Sequence, residues 1–164
     1  MTYNSLNASV CLDDIDKVLL RELSANSRIS ASELAEAVGL TRQAAAGRME
    51  RMQREGILRR YTVDIDPDKL GVSVRAFVSV TLMPACSEEA EARVIELLRN
   101  NPWVRECYRV TGEDYFQARV VTPAIFELRE LVVALRSTGV VQGTSTTLAL
   151  EVMFEKSHLS FDTP

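Results

Sequence analysis

The chain has 164 residues and a formal net charge of −4, with 26% charged and 46% hydrophobic residues. This composition is typical of a folded globular protein and excludes a disordered chain. The first residues, MTYNSLNASVCL, lack the basic and apolar regions of a signal peptide, and eighteen apolar residues never follow one another, so we expect a cytoplasmic protein without membrane contact.

Cysteine and histidine are scarce, which argues against catalysis and metal binding. The three cysteines have no CxxC spacing, so neither a disulfide framework nor a zinc site is expected, and Cys107 is predicted to lie in the core. The one histidine, His158, lies in a polar tail. Because proton transfer and metal binding near neutral pH most often use histidine, we expect no enzyme, no metal and no cofactor.

The first half of the chain predicts three short helices. Asp13 is a suitable N-cap for the first helix, and Ser30 and Glu33 have capping-box spacing at the start of the second. Gly39 is a natural C-cap for that second helix, and Thr41 then caps the third. Two helices joined by a tight glycine turn, with another helix before them, form a helix-turn-helix.

Alternating apolar residues follow the third helix. Tyr61, Val63 and Ile65 alternate with polar residues before Pro67, which predicts a wing strand that leads into a hinge. We therefore expect a flexible segment at residues 1–11, a winged helix-turn-helix domain at 12–60, and the wing strand and hinge at 61–74.

The second half predicts the order strand, helix, strand, strand, helix, strand. The two middle strands are joined by the short turn TGED, and the last strand is expected over residues 143–155. Thr122 is the predicted cap of the second helix, with Pro123 at the first helical position. This order is that of a ferredoxin-like βαββαβ domain, expected at 75–155 and followed by a tail at 156–164, so the fold class is α+β.

Charge is distributed unevenly along the chain. Residues 41–60 contain six arginines and two glutamates, a local charge of +4, whereas the residues from 61 onward sum to −5. On a helical wheel the third helix turns Ala45, Met49 and Met52 inward. Its outward side carries Gln43, Gly47, Glu50, Arg51 and Arg54, with Arg42 and Ala46 at one edge and Arg48 at the other.

Small residues flanked by arginines suit entry into a DNA major groove, where backbone and bases come close. Arg42 and Gln43 are candidates for reading base edges. The helix N-terminus at Thr41 is suited to a position next to an anion such as a DNA phosphate. Candidates for phosphate contacts are Arg48, Arg51, Arg54, Arg59 and Arg60. The predicted DNA-binding residues are these five arginines together with Thr41, Arg42, Gln43, Ala46 and Gly47. The alternative is a merely solvated basic face, with Arg48 paired to an acid of the first helix.

The helical half resembles the amino-terminal domain of the Lrp/AsnC, or feast/famine, transcription regulators. The matching features are Leu12-Asp13-x-x-Asp16, Arg28-Ile29-Ser30, Gly39-Leu40-Thr41, Arg48, Arg51, Gly56-Ile57 and Tyr61. The second half is similar to the effector and oligomerisation domain of that family. The resemblance spans about residues 12–155 and implies a sequence-specific regulator of transcription that binds double-stranded DNA.

The resemblance also implies a homodimer in which the sheets of two carboxy-terminal domains pack together, with further assembly into tetramers or octamers. Amino-acid effectors bind between such domains in the family, next to a loop that commonly reads Gly-Asp-x-Asp-Tyr. Here Gly112, Glu113 and Asp114 are the effector candidates, and Tyr115 stands where the second aspartate is expected. The alternative interpretation is that these residues form only a hairpin turn.

Two other functions compete with a sequence-specific regulator. An architectural protein that wraps DNA with little sequence choice would show a steep salt dependence and poor discrimination between DNA sequences. An enzyme or metabolite-binding protein would use the ferredoxin-like half, but the sequence lacks a phosphate loop and a recognisable pair of catalytic carboxylates.

Overall fold

The computed structural model describes residues 11–156, which fall into two compact units. The helical unit comprises residues 11–64 together with 155 and 156, and the sheet unit comprises residues 65–154. Most of the predicted N-terminal segment, most of the tail, and His158 lie outside the described residues. Within residues 11–156, no helix is long and apolar enough to cross a membrane.

Three helices form the helical unit: α1 (Asp14–Ala25), α2 (Ala31–Val38) and α3 (Arg42–Arg54). Asp13 and Ser30 cap α1 and α2, each through a complete capping box, which confirms both predictions. Gly39 ends α2 with a φ of 69°, a left-handed conformation that glycine adopts without steric cost. The unit closes around a small apolar core of Leu19, Leu20, Leu23, Leu34 and Met52.

The predicted wing strand is wrong. Tyr61, Val63 and Ile65 lie in a segment without regular secondary structure, and all three side chains are exposed. A strand needs a partner ladder for its backbone groups, and the described part of the helical unit contains no other strand. The segment is held instead by single contacts, such as the Ser27 hydroxyl donating to the Thr62 carbonyl oxygen at 3.2 Å.

The sheet unit has the predicted ferredoxin-like order. Its elements are β1 (Val74–Leu82), α4 (Glu88–Asn100), β2 (Val104–Arg109), β3 (Phe116–Thr122), α5 (Ile125–Ser137) and β4 (Val141–Leu148). The sheet order is β2-β3-β1-β4, and all three pairings are antiparallel. A short 3-10 helix, Asp68–Leu70, precedes β1. The prediction of an α+β chain with a helix-turn-helix before this domain is confirmed.

One face of the sheet packs against α4 and α5. In β1, Ala76, Val78 and Val80 are buried and alternate with residues that point to the other face, as the period of a strand requires. They share one core with residues of both helices, including Val94 and Leu131. The other face, which we call the open face, carries residues such as Phe77, Ser79, Tyr108, Gln117 and Arg119.

Three local predictions for the sheet unit are wrong. The α5 helix begins at Ile125 with Ala124 as its N-cap, because Thr122 completes β3, where it pairs with Val74 and is fully buried. The residue before a proline favours extended backbone, which suits Thr122 as the end of a strand. The last strand ends at Leu148 rather than at residue 155. Cys107 is exposed rather than buried, because it lies on the edge strand β2.

Candidate nucleic-acid interface

The turn between α2 and α3 brings two helix ends together within three residues, 39–41. The Leu40 backbone N–H donates to the Ala35 carbonyl oxygen at 2.9 Å, which closes the end of α2. Thr41 then caps α3, since its hydroxyl oxygen accepts from the Ala44 backbone N–H at 3.2 Å. The first N–H groups of a helix have no acceptor within the helix, so this end of α3 favours an anion.

The outward surface near the start of α3 includes two small residues, Ala46 and Gly47, and we call this part the bare surface of α3. Arg42, Gln43 and Gly47 are exposed, and Ala46 is half-buried between them. A Cβ atom placed on Gly47 would meet no atom of residues 11–156 within 4 Å, so packing among these residues does not require glycine there. Helix formation does not require it either, because glycine costs about 1 kcal/mol relative to alanine in a helix interior.

Arg48 and Arg51 turn toward α1 instead of outward. The Arg48 guanidinium donates to Asp13 at 2.6 Å and to Asp16 at 2.9 Å, and the Arg51 guanidinium donates to the other carboxylate oxygen of Asp16. Asp16 is only 1% exposed. The helical-wheel placement of Arg51 on the outward side is therefore wrong. Arg48 pairs with acids at the start of α1, which is the alternative to a phosphate contact that the sequence analysis left open.

The contacts in this network shift the pKa values of Asp13 and of both arginines. The pKa of Asp13 is lowered, first by the hydrogen bond from the Asp16 backbone N–H and then by Arg48. The pKa of Arg48 is raised mainly by its hydrogen bond to Asp13, and the pKa of Arg51 is raised mainly by its hydrogen bond to Asp16. These shifts favour the charged forms of Asp13, Arg48 and Arg51, which form one network with Asp16.

Four other arginines of the predicted site are exposed. Arg42 and Arg54 lie at the two ends of α3, and Arg59 and Arg60 follow it. None of the four makes an ion pair with any residue between 11 and 156. Positive charge without an internal partner is what a polyanion such as DNA requires.

The effector candidates lie in the turn between β2 and β3. Gly112 has a φ of 109°, and Glu113 beside it is exposed. Asp114 is half-buried, and its carboxylate accepts from the Thr81 hydroxyl at 3.4 Å. One acid of the turn is thus held against β1, and the other faces solvent.

A polar cluster beside this turn was not predicted from the sequence. The Tyr115 hydroxyl accepts from the Arg109 guanidinium at 2.6 Å and donates to Glu91 at 2.9 Å, and Arg109 also pairs with Glu91. Arg109 lies over the Tyr115 ring at 4.7 Å. No local motif could reveal this cluster, because Glu91 is 24 residues from Tyr115 in the chain. Among the described residues, no group of His, Cys, Asp and Glu is arranged to hold a metal ion.

A basic helix-turn-helix joined to a ferredoxin-like domain defines a class of two-domain DNA-binding regulators, and comparison with known proteins gives the particular family. The AsnC-type helix-turn-helix domain model matches residues 12–53, and the Lrp/AsnC ligand binding domain model matches residues 75–159. The chain belongs to the Lrp/AsnC family of HTH-type transcription regulators, as the sequence resemblance implied.

Individual relatives match over nearly their whole length. The HTH-type transcriptional regulator LrpA of Mycobacterium tuberculosis is 34% identical over 149 residues, covering 90% of this chain and 97% of that protein. An AsnC family regulator from Agrobacterium tumefaciens has a TM-score of 0.84 at 28% identity, covering 92% and 98% of the two chains. A feast or famine regulatory protein from M. tuberculosis, solved with L-methionine, has a TM-score of 0.79 at 33% identity, covering 91% and 99%.

Proposed function

We propose that the chain binds operator DNA by placing the outward surface of α3 in the major groove, and that it works as a regulator and not as an enzyme. The observation that carries this proposal is the bare surface at Ala46 and Gly47, because packing within residues 11–156 does not require glycine at position 47. A base pair needs that space, because backbone and bases approach closely in the groove. The proposed DNA-facing residues are Thr41, Arg42, Gln43, Ala46, Gly47, Arg54, Arg59 and Arg60.

Selection from a randomised pool of DNA duplexes tests this function. Enrichment of an inverted repeat, with half-sites about one helical turn apart, is expected for a symmetric dimer with two copies of α3. Affinity for the selected duplex is then compared with affinity for a scrambled duplex across a salt series. Equal affinity for both, with a steep salt slope, would favour an architectural protein, and absence of binding to either would contradict a DNA-binding function.

A pair of arginine variants locates the interface. Arg54→Gln removes an exposed charge from α3, and we expect the salt slope to fall by about 0.9, the value for one phosphate contact. Arg129→Gln removes the same charge from the sheet unit, where Arg129 pairs with the neighbouring Glu130. The slope for this control should stay at the wild-type value. Equal slopes for the two variants would place the interface elsewhere.

We infer that the chain acts as a homodimer through the open face of the sheet. Phe77 and Tyr108 are 42% and 55% exposed on that face, and burying aromatic surface of this size favours association. The dimer also supplies the two copies of α3 that an inverted repeat needs. Sedimentation of Phe77→Asp against wild type tests the interface, with Phe126→Asp on α5 as a control that makes the same substitution at a phenylalanine that is 62% exposed. Dissociation by Phe77→Asp alone is expected.

We further infer that an amino acid modulates DNA binding through the turn that holds Gly112, Glu113 and Asp114. Support comes from the Lrp/AsnC ligand binding model over this domain and from the L-methionine complex of the relative at 33% identity. A carboxylate of the turn would pair with the ammonium group of an amino acid. Calorimetry with L-methionine as the first probe, on wild type and Glu113→Gln, tests this role. Heat that is unchanged by the variant would remove Glu113 from the site.

A further inference from the structure

We propose that Asp16 is a positioning residue for DNA recognition, because it fixes α3 on α1 through Arg48 and Arg51. In this role the two arginines do not contact DNA phosphates. The inference rests on the proposed use of α3 as the recognition helix.

Geometry makes Asp16 the centre of the contact. One carboxylate oxygen accepts from Arg48 and the other from Arg51, which lie one turn apart on α3. Asp16 also completes the capping box of α1, since the Asp13 backbone N–H donates to it at 3.2 Å. A single buried carboxylate thus connects the start of α1 with two successive turns of α3.

The apolar contacts of α3 cannot provide this connection alone. Ala45 and Met52 are fully buried and hold α3 against the other helices, but apolar attraction is not directional and methionine adapts to several packings. Charge-assisted hydrogen bonds have fixed distances and angles, so they select one rotation and one position of a helix along its axis. We therefore assign the attraction between α3 and the other helices to apolar residues such as Ala45 and Met52. We assign the exact position and rotation of α3 relative to α1 to Asp16.

The burial of Asp16 keeps Arg48 and Arg51 in the network. The side chains of Arg48 and Arg51 are 29% and 35% exposed, and the Nε atom of Arg51 is shielded from water. Turning either guanidinium toward DNA would leave one oxygen of Asp16, which is 1% exposed, without its arginine. That exchange is unfavourable, because weakening the compensation of a buried charge is destabilising. Arg54, which is exposed and has no ion pair within residues 11–156, carries no such penalty.

The salt series separates positioning from phosphate contact. The probes are the duplex selected from the randomised pool and its scrambled counterpart, and the variants are Arg51→Gln and Asp16→Asn, with Arg54→Gln as control. We expect Arg51→Gln to keep the wild-type salt slope but to lose about tenfold in discrimination between the duplexes, while Arg54→Gln lowers the slope by about 0.9. A slope for Arg51→Gln that falls as far as that of Arg54→Gln would overturn the proposal.

A double variant tests whether the residues act as one unit. Asp16→Asn should lose discrimination to a similar degree, and Asp16→Asn combined with Arg51→Gln should lose little more, because both changes break the same contact. All measurements are made where circular dichroism shows the variants to be folded. A role in stability alone would leave discrimination unchanged in folded Asp16→Asn, and that result would also overturn the proposal.

A measurement without variants covers the case in which Asp16→Asn does not fold. In the nuclear magnetic resonance spectrum of the wild type, the Nε–H signal of Arg51 should be protected from solvent exchange and should keep its position when the selected duplex is added. The Arg54 signal should shift. Movement of the Arg51 signal with that of Arg54 would contradict the proposal. If wild type and all variants fail to bind either duplex, the proposed function itself fails.

Discussion

The helical unit and the sheet unit differ in how much of their stability comes from apolar burial and how much from polar contacts. Among the described residues, the core of the sheet unit contains thirteen buried apolar residues and that of the helical unit contains five. The helical unit adds two complete capping boxes and the network around Asp16. A small unit buries a smaller fraction of its surface, so polar contacts carry a larger part of its stability. The network around Asp16 also holds the proposed recognition helix, which ties the stability of this unit to its function.

Removal of one buried leucine from each unit should have the largest effect. Leu19→Ala and Leu98→Ala each delete a fully buried side chain, at an expected cost of about 2–5 kcal/mol in the free energy of unfolding. Trp103, the only tryptophan, packs against the core of the sheet unit and reports its unfolding by fluorescence. Leu98→Ala should shift that transition to lower urea concentration. Leu19→Ala should leave it in place and accelerate amide hydrogen exchange in α1 and α3. A shift of the Trp103 signal in both variants would show that the units unfold together.

Filling the bare surface of α3 should separate binding from stability. Gly47→Leu should weaken binding to the selected duplex at least about tenfold, while the free energy of unfolding is unchanged or higher by up to about 0.8 kcal/mol. The first effect follows from loss of space in the groove, and the second from helix propensity at a position with no neighbour within 4 Å. Gly47→Ala is the matched control, since it gains propensity and stays small. Normal binding by Gly47→Leu would remove this surface from the interface.

Loss of a cap should affect the helical unit more than the sheet unit. Ser30→Ala breaks a reciprocal capping box with Glu33 and should cost about 1 kcal/mol. Ser87→Ala breaks the single cap bond to Ala90 at 3.3 Å and should cost about 0.5 kcal/mol. Amide exchange in α2 and in α4 measures the two effects separately. Equal costs would mean that the Glu33 bond adds nothing to the cap.

Acid should destabilise both units slightly, with different responses to salt. The pKa of Asp13 is lowered first by a backbone N–H, and the pKa of Glu106 is lowered first by Arg119. A carboxyl with a lowered folded pKa adds stability at neutral pH, and this stability is lost as pH falls below the unfolded value of about 4 toward the folded one. Salt screens ion pairs, so it should reduce the acid sensitivity contributed by Glu106 more than that contributed by Asp13. Urea titrations of Asp13→Asn and Glu106→Gln between neutral and acid pH measure the two contributions, and an equal response to salt would contradict the difference in cause.

Features decided by neighbouring residues could be predicted from the sequence. The caps at Asp13, Ser30 and Thr41 each depend on a partner three residues away, and Gly39 meets a local demand for a positive φ. The ferredoxin-like order was also predictable, because each of its strands and helices has its own hydrophobic period. The predicted positions of Arg54 and Gly47 on the outward surface of α3 depend on helical geometry alone.

Features that depend on distant partners were missed. Arg51 was placed outward because the wheel contains no other helix, and its partner Asp16 is 35 residues away. The alternation at Tyr61 suggested a strand, but a strand also needs a neighbour to bond, which no pattern in one segment supplies. Thr122 has the sequence features of a helix cap, but it pairs with Val74 of β1 and therefore belongs to the sheet. For Arg51 and Thr122 a non-local contact overrode the local preference, whereas the segment at Tyr61 has no strand to pair with among the described residues of the helical unit.

The open position at Gly47 makes this protein a candidate for redesign of sequence preference. Since a Cβ atom at 47 meets no atom of residues 11–156 within 4 Å, a small polar residue such as Ser can be introduced there without a clash at its Cβ atom. In the proposed docking, the serine hydroxyl would stay small enough for the groove and would reach a base edge that glycine leaves unread. A change of one codon would then alter the DNA preference of the regulator on an unchanged scaffold.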